Sequence, residues 1–378
     1  MSEITVGQLG AGFIGKVHSH AYSVAGTSLH RPADRVTLAL LAEKDERLCA
    51  ETAEQFGWQS TTNDWRDVVS APEVMLFDNS GPNAVHGEPS MQAASNGKHV
   101  LCEKPLASSA DEALEIYRHI AATGVLHQCA FMYRFIPAIR HARELIQGGE
   151  LGEILHVRAR FLMSFASDAS IPMSWRFDKS LAGAGALGDL GSHHIDLARF
   201  LAGEVHSCAS LTHTFFEDRP GGRVTNDDCF LAIARLDGGA TASFEASRVA
   251  GNHTLTSHVE VDGTQGSLSF DFERLNELRV SIRGHRGFRT YLATEADHPF
   301  SDFLFPVGIQ GQHPIGWDLC FSHQALAMLN AIESGDPLPE PIATLRDGYR
   351  VAEVVETIER AAASGRWEDV NYRDKGEE

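Results

Sequence analysis

The sequence lacks several features that would assign it to whole classes of protein. It contains no run of about eighteen apolar residues, so no transmembrane helix is expected. Its first residues, MSEITVGQLG, enter a strand-like pattern and leave no room for a secretory signal. Basic residues are scarce, 32 Lys and Arg against 51 Asp and Glu, and the net charge of -19 argues against nucleic acid or an anionic membrane as a partner. We therefore expect a cytoplasmic protein whose partner is a small molecule.

Cysteine is also sparse, and no metal-binding spacing is present. The 6 cysteines are scattered and form no CxxC pair, so we interpret them as reduced thiols. The 19 histidines include two close pairs, His18 with His20 and His193 with His194. Neither pair has the ligand spacing of a four-coordinate zinc site. The sequence therefore predicts no metal.

Residues 1–125 alternate between strand and helix patterns. Short apolar stretches such as ITVGQL, VTLALLA and VMLFDN are separated by helix-like stretches. This alternation is typical of parallel strands joined by right-handed crossovers. From residue 126 to residue 378 the pattern changes, and stretches such as ILHVRARFLMSF and CFLAIARL alternate with a period of two. That period indicates a large, mostly antiparallel sheet.

The sequence thus predicts an α/β protein of two domains. A Rossmann dinucleotide-binding domain is expected over residues 1–125. An α+β domain for substrate binding and oligomerisation is expected over residues 126–378. Its C-terminal helix could pack back on the first domain. The apolar residues of the antiparallel sheet predict a homodimer or homotetramer formed through that sheet.

A glycine-rich turn follows the first predicted strand. It reads Gly10-Ala-Gly12-Phe13-Ile14-Gly15, a GxGxxG motif that opens a helix. In a Rossmann turn the first glycine permits the tight turn, the second lets the backbone approach a pyrophosphate, and the third allows close packing of helix and strand. We expect all five numbered residues to contact the cofactor.

An acidic residue ends the second predicted strand. Glu43 follows VTLALLA, where a carboxylate is suited to the hydroxyls of the adenosine ribose. A carboxylate at that position would repel the 2′-phosphate of NADP. NAD is therefore the predicted cofactor, with NADP the less favoured one.

Three further motifs follow, SGPNAVH at 80–86, GKHVLCEKPLA at 97–107 and GALGDLGSHHID at 185–196. Together with the glycine turn they resemble the glucose-fructose oxidoreductase, inositol dehydrogenase and rhizopine-catabolism family, Gfo/Idh/MocA, over nearly the whole chain. The resemblance implies that Lys104 of the EKP motif is catalytic and that the peptide bond to the following proline is often cis. It implies contacts with the cofactor for Ser80, Pro82, Asn83, His86, Glu103 and Lys104.

The last motif supplies two more candidate catalytic residues. Asp189 and His193 are four residues apart and would share one face of a helix. The family's catalytic Asp and His match these two positions. The resemblance implies hydride transfer from a carbinol carbon to nicotinamide, with Lys104 polarising the oxygen, His193 acting as general base and Asp189 orienting the substrate. Whether Lys104 or His193 accepts the proton stays open.

The expected substrate is a cyclic polyol or a sugar, oxidised at a secondary or anomeric hydroxyl. An inositol, such as scyllo- or myo-inositol, and an aldose both fit a pocket rich in polar side chains. Met132 stands where many relatives carry asparagine, which removes one expected polar contact. The expected substrate-binding residues are Lys104, Trp175, Arg176, Asp189, His193 and His313.

Two other functions are compatible with the same motifs. One is a redox-neutral glycosidase that uses NAD only transiently, and net release of NADH would distinguish it from a dehydrogenase. The other is a sensor that binds NAD without turnover, and activity on any sugar or polyol would exclude it.

Overall fold

The computed structural model describes residues 3–27, 36–293, 314–339 and 342–375. The chain divides into two compact units. The first unit comprises residues 1–107, 111–135 and 316–349, and the second comprises residues 108–110, 136–315 and 350–378.

The first unit begins as the alternating pattern predicts. Its elements, in chain order, are β1 (Ile4–Leu9), α1 (Phe13–Ala25), β2 (Val36–Ala42), α2 (Glu46–Phe56), β3 (Ser60–Thr62), α3 (Trp65–Ser70), β4 (Leu76–Asn79), α4 (Gly87–Ser95), β5 (His99–Cys102), α5 (Ala110–Ala121) and β6 (His127–Cys129). The six strands form one parallel sheet in the order β3-β2-β1-β4-β5-β6. The order reverses between β1 and β4, where open α/β sheets bind their ligands at the carboxyl ends of the strands.

Local signals explain where these elements end. The Asp45 side chain accepts a hydrogen bond from the Leu48 N–H and caps the start of α2. Gly57 ends that helix with φ +79°. The sheet is covered on both faces, so its strands are apolar almost throughout, and Leu41, Leu76 and Phe77 have no exposed surface.

The second unit is built around a nine-stranded sheet. Its elements and those that close the chain are α6 (Pro137–Gln147), β7 (Ile154–Leu162), α7 (Lys179–Ala182), α8 (Ser192–Ala202), β8 (Val205–His213), β9 (Asp218–Arg219), β10 (Gly222–Arg223), β11 (Cys229–Leu236), β12 (Thr241–Ser247), β13 (Thr256–Gly263), β14 (Gly266–Asp271), β15 (Glu277–Ile282), β16 (Arg289–Leu292), α9 (Trp317–Ser334), α10 (Leu345–Ser364) and β17 (Glu368–Asp369). The sheet order is β16-β15-β14-β13-β7-β12-β11-β8-β17.

The large sheet is mostly antiparallel, as predicted. Only β7 and β12 run parallel among its described strands. Strand β11 alternates buried and exposed residues, and its inward-facing Phe230 is fully buried together with Phe244 and Phe270. Helix α8 packs on the β7 side of this core.

The division into units differs from the single predicted boundary at residue 125. Helix α9 and residues 345–349 of α10 group with the first unit, as do residues 126–135. The reason is packing, because α9 lies along α1 and stacks Trp317 on Phe13 with ring centroids 6.0 Å apart. The helix that packs back on the first domain is therefore α9, the penultimate helix, rather than the last one.

The described residues also bear on the predictions about membrane helices, cysteines and metal sites. Among the described residues, no helix has the length and apolar character needed to cross a membrane. The 6 cysteines all lie in described ranges and form no disulfide, and a cytoplasmic location stays a prediction. Within the described ranges, no group of three or more His, Cys, Asp and Glu side chains is arranged to hold a metal ion.

Candidate active site

The glycine turn has the geometry that a dinucleotide requires. Gly10 has φ +102°, and a Cβ at this position would lie 2.6 Å from the Ser80 carbonyl oxygen. A Cβ on Gly15 would collide with the Gly10 carbonyl oxygen. At Gly12, the N-cap of α1, a Cβ would meet no atom within 4 Å. The helix N-terminus therefore faces open space at the residue that should approach the pyrophosphate.

A buried glutamine holds this turn in shape. The Gln8 Nε2 donates to the carbonyl oxygens of Gly10 (2.7 Å) and Gly15 (2.9 Å). Its position inside an apolar strand gave no functional signal in the sequence. The neighbouring Phe13 is 70 % exposed and Ile14 is half-buried, so both are available to a ligand at the turn.

Glu43 lies at the end of β2, beside the glycine turn. Its Oε2 accepts the Ala11 N–H at 3.0 Å, and its Oε1 accepts the Asp45 N–H at 3.3 Å. These two bonds orient the carboxylate while leaving it partly exposed. The residues present thus fit a dinucleotide at both its pyrophosphate and its adenosine ribose, where NADP would bring a 2′-phosphate against a carboxylate.

The loop that follows β4 carries four of the six other predicted cofactor residues. Pro82 is exposed and Asn83 is buried in a short 3₁₀ turn. His86 is buried, and its ring nitrogens lie 3.0 Å from the Gly81 carbonyl oxygen and 2.9 Å from the Pro105 carbonyl oxygen. His86 therefore joins this loop to the loop after β5, and its contact with the cofactor stays a prediction.

The EKP motif directly follows β5. The Lys104–Pro105 peptide bond is cis, in agreement with the resemblance. Lys104 is half-buried and Glu103 is buried. The Glu103 Oε2 accepts the Lys104 N–H at 3.0 Å, and its Oε1 lies 3.1 Å from the His18 Nε2. Both oxygens of Glu103 thus have partners within the first unit.

A cluster of buried polar groups stands behind Glu103. The Asp78 Oδ2 lies 2.8 Å from the His18 Nδ1 and accepts the Tyr22 hydroxyl at 2.6 Å. The Ser80 hydroxyl donates to the Asp78 Oδ1 at 2.6 Å. Ser80, expected to contact the cofactor, is therefore part of this cluster. Neither His18 nor Asp78 was predicted to belong to the site.

In the second unit, Asp189 and His193 are on one short segment. Asp189 lies in a π-helical turn, Leu187–Gly191, and α8 follows directly. Between residues 182 and 201, Asp189 and His193 are the two positions that are not buried. Both side chains are therefore partly accessible, and π-helical turns of this kind are frequent at functional sites.

A buried aspartate holds that segment in place. The Asp227 Oδ1 accepts the Gly185 N–H at 2.6 Å, and its Oδ2 accepts the Leu187 N–H at 2.8 Å. A Cβ on Gly185 would collide with the Asp227 carbonyl oxygen, so only glycine fits here. Burial raises the pKa of Asp227. This residue was missed because it lies far from the GALGDLGSHHID motif in sequence.

Trp175 and Arg176 form a 3₁₀ turn with partly exposed side chains. The Arg176 guanidinium lies over the Trp175 ring, 4.4 Å from its centroid. The Arg176 carbonyl oxygen accepts hydrogen bonds from Asn226 Nδ2 (3.0 Å) and Arg248 Nη1 (3.1 Å). His313 lies outside the described residues. Met132 is buried in the first unit.

Comparisons with known proteins cover nearly the whole chain. The family model described as "Oxidoreductase family, NAD-binding Rossmann fold" matches residues 4–131, and the model "GFO/IDH/MocA C-terminal domain" matches residues 139–269. The levoglucosan dehydrogenase of Pseudarthrobacter phenanthrenivorans is 35% identical over 393 residues, covering 98% of this chain and 99% of that protein.

Two further relatives extend the comparison. A solved structure of levoglucosan dehydrogenase in complex with NADH and levoglucosan is similar with a TM-score of 0.92 and 36% identity, covering 98% of this chain and 100% of that one. The scyllo-inositol 2-dehydrogenase (NAD(+)) of Bacillus subtilis is 29% identical over 243 residues, covering 63% of this chain and 66% of that protein.

Proposed function

The chain belongs to the GFO/IDH/MocA family of NAD-binding oxidoreductases, and on that premise we propose that it is an NAD-dependent dehydrogenase of a cyclic sugar or polyol. Similarity to a levoglucosan dehydrogenase along nearly the whole length of both chains is the observation that carries the proposal. The substrate class is a six-membered ring with several hydroxyls. Levoglucosan, inositols and aldoses are the compounds to test.

The residues of this chain have separate roles in the proposed reaction. NAD, when bound, supplies the acceptor for the hydride of the carbinol carbon. Lys104 donates a hydrogen bond to the reacting oxygen and stabilises its negative charge. His193 takes the hydroxyl proton as general base, unless Lys104 does so, and Asp189 orients the substrate through a neighbouring hydroxyl. Trp175 and Arg176 are proposed to contact the ring.

The test is NADH formation by the purified protein with NAD and a panel of levoglucosan, inositols and aldoses. Wild-type turnover is expected on at least one compound. We expect Lys104→Ala to lower kcat by about 1,000-fold, because the reacting oxygen loses its charged donor. Lys179→Ala is the matched control, since Lys179 is exposed and pairs with Glu359 on the surface.

The outcome separates the proposal from its two alternatives. Cleavage of an aryl glycoside with no net NADH would indicate the redox-neutral glycosidase. Binding of NADH with no reaction on the whole panel would indicate the sensor. Equal activity of Lys104→Ala and Lys179→Ala would contradict the role given to Lys104.

We also propose that the chain assembles as a homodimer or homotetramer through the outer face of the large sheet. Leu211, Leu231 and Ile233 are 61%, 49% and 54% exposed on neighbouring strands β8 and β11, and Leu211 is paired directly with Leu231. Such a row of apolar side chains on one face supports contact with a second copy. Light scattering at micromolar concentration should give a multiple of 41.2 kDa.

A charge placed on that face should separate the copies. Leu231→Arg is expected to give the mass of one chain, whereas Met75→Arg, an equally sized change in the first unit, should leave the assembly intact. A wild-type protein that is monomeric at this concentration would refute the proposal.

A further inference from the structure

His18 occupies an unusual position in the first unit. Its ring is buried between two carboxylates, with Nδ1 2.8 Å from the Asp78 Oδ2 and Nε2 3.1 Å from the Glu103 Oε1. Asp78 ends β4 and Glu103 follows β5, so two neighbouring strands deliver one acid each to the same imidazole.

The protonation of this ring follows from hydrogen-bond geometry. A neutral imidazole has one N–H and can donate to one carboxylate only, whereas an imidazolium can donate to both. The Asp78 carboxylate also accepts the Tyr22 and Ser80 hydroxyls, so both of its oxygens act as hydrogen-bond acceptors. We propose that His18 is a positioning residue: held as an imidazolium between Asp78 and Glu103, it fixes the Glu103 carboxylate and, through it, the main chain at Lys104.

The connection from His18 to Lys104 has one intermediate. The Glu103 oxygen that does not face His18 accepts the Lys104 N–H at 3.0 Å. The carboxylate is therefore held at both ends, by a cation on one side and by the main chain of the lysine on the other. The consequence for catalysis rests on the proposed function, because it assumes that Lys104 polarises the substrate oxygen.

The groups around His18 keep its charge at neutral pH. Burial alone lowers the pKa of His18, but the charges and hydrogen bonds of Asp78 and Glu103 outweigh burial and raise that pKa to about 10. Helix α1 adds the Tyr22 hydroxyl, bound to Asp78, and the residue after β4 adds the Ser80 hydroxyl, 3.2 Å from the His18 Nδ1. Helix α9 faces the ring with Phe321, 5.6 Å between centroids, and also carries Asp318, Cys320 and His323.

Removal of His18 has a specific electrostatic consequence. With the imidazolium present, the cluster of Asp78, His18 and Glu103 has one net negative charge. Without it, two buried carboxylates lose the cation between them, and their mutual repulsion and burial favour the uptake of a proton by one of them. The variant should thus acquire an ionisation that the wild type lacks.

The first experiment reads the protonation of His18 directly. NMR of protein labelled with ¹⁵N in histidine should show, among the 19 imidazoles, one ring that keeps both N–H protons at pH 8. Its signals should vanish in His18→Gln and persist in His20→Gln. A wild-type spectrum in which every imidazole is neutral at pH 8 would overturn the proposal, and this result needs neither a substrate nor a folded variant.

The second experiment measures how the loss of His18 affects catalysis through Glu103 and Lys104. We expect His18→Gln to lower kcat by about 100-fold, the effect of a reacting group displaced by about 1 Å. The Kd for NADH should change much less than kcat, because the glycine turn and Glu43 are untouched and only the predicted contacts of Ser80 and Glu103 are affected. The kcat of this variant should fall with rising pH as the added proton leaves, whereas wild type and His20→Gln should share one profile.

A charge-balanced variant completes the test. His18→Gln combined with Asp78→Asn restores the net charge of the wild-type cluster, so it should recover part of the lost kcat and lose the added ionisation. Parallel pH profiles for His18→Gln and wild type would overturn the positioning role. If the wild type turns over no sugar or polyol, the proposed function fails, while the NMR result still decides the state of His18.

Discussion

Two buried histidines, one in each unit, have pKa values that are shifted in opposite directions. His18 lies between two carboxylates, and its pKa is raised to about 10 although burial opposes the charge. Burial lowers the pKa of His194 to about 3, and the charge of His258 acts in the same direction. The partners of His194 are the Ser257 hydroxyl, 3.2 Å from its Nε2, and the edge of the Phe161 ring.

The difference shows how each unit stabilises polar groups beneath its site. The first unit concentrates charge at the carboxyl ends of its parallel strands and neutralises it with a cation. In the second unit the buried Asp227 is satisfied by the main-chain N–H groups of Gly185 and Leu187, while the neighbouring Asp228 pairs with Arg248. His18 is therefore a cation because two carboxylates hold it, whereas His194, next to a hydroxyl and an aromatic ring, stays neutral.

The same substitution at both histidines should give the largest contrast. His18→Leu leaves two buried acids without their cation, a change that costs about 3–5 kcal/mol of the free energy of unfolding. His194→Leu removes one hydrogen bond to a hydroxyl and should cost about 1 kcal/mol. Urea unfolding at pH 7 measures both values. Equal losses would mean that His18 is not the counter-charge of Asp78 and Glu103.

Asp227→Asn tests the support of the site in the second unit. An amide NH₂ group in place of a carboxylate oxygen faces a main-chain N–H, so the hydrogen bond to Gly185 or to Leu187 is lost. We expect kcat to fall by about 100-fold, because Asp189 and His193 lose their fixed positions. Initial rates with the preferred substrate measure this loss.

The control for this change is another aspartate in the second unit. Asp237 is exposed and pairs with His206 on the surface, so Asp237→Asn should retain wild-type rates. If Asp227→Asn retained them as well, the segment that carries Asp189 and His193 would not depend on the buried carboxylate.

Glu43 differs from the carboxylates that pair with His18 and from the buried Asp227, because it is partly exposed while main-chain N–H groups orient it. In Glu43→Gln one end of the side chain can no longer accept these bonds, and the negative charge is lost. The Kd for NAD should rise by about tenfold while the affinity for NADP rises, since repulsion of the 2′-phosphate disappears. Isothermal titration with both cofactors measures the ratio, with the exposed Glu51→Gln as control. An unchanged ratio would exclude Glu43 as the selectivity residue.

Sequence reasoning located residues that occur in contiguous motifs. The glycine turn, Glu43, the EKP motif and the pair Asp189 and His193 all fall at strand ends or on one helix face, which local patterns reveal. The mostly antiparallel sheet followed from the alternation of stretches such as CFLAIARL. These features depend on residues that are close together in the sequence, so local patterns are enough to predict them.

The supporting residues depend instead on strand order. His18 meets Asp78 because β4 inserts next to β1, and it meets Glu103 because β5 follows β4 in the sheet. Asp227 reaches Gly185 across a gap of 42 residues. Nothing in the sequence near Asp78 or Asp227 marks its partner. The assignment of α9 to the first unit was missed for the same reason, because its packing against α1 joins distant parts of the chain.

A further predicted effect is a difference in how stability depends on pH. His18 has a folded pKa above its ordinary value, so its contribution to stability is complete below about pH 6.5 and is lost as the pH rises through about 10. Between pH 8 and 10 the stability difference between wild type and His18→Leu should therefore shrink, by at most about 1.4 kcal/mol per pH unit.

His194 should behave in the opposite way. Its folded pKa is depressed, so the unfolded chain takes up a proton on this ring as the pH falls below about 6.5 while the folded chain does not. The wild type should then lose stability relative to His194→Leu with falling pH, and no difference in slope should appear above pH 7. Urea midpoints of both proteins at several pH values from 4 to 8 give the slope. Parallel curves would mean that His194 is protonated in the fold, and the contrast between the two units would then rest on their carboxylates alone.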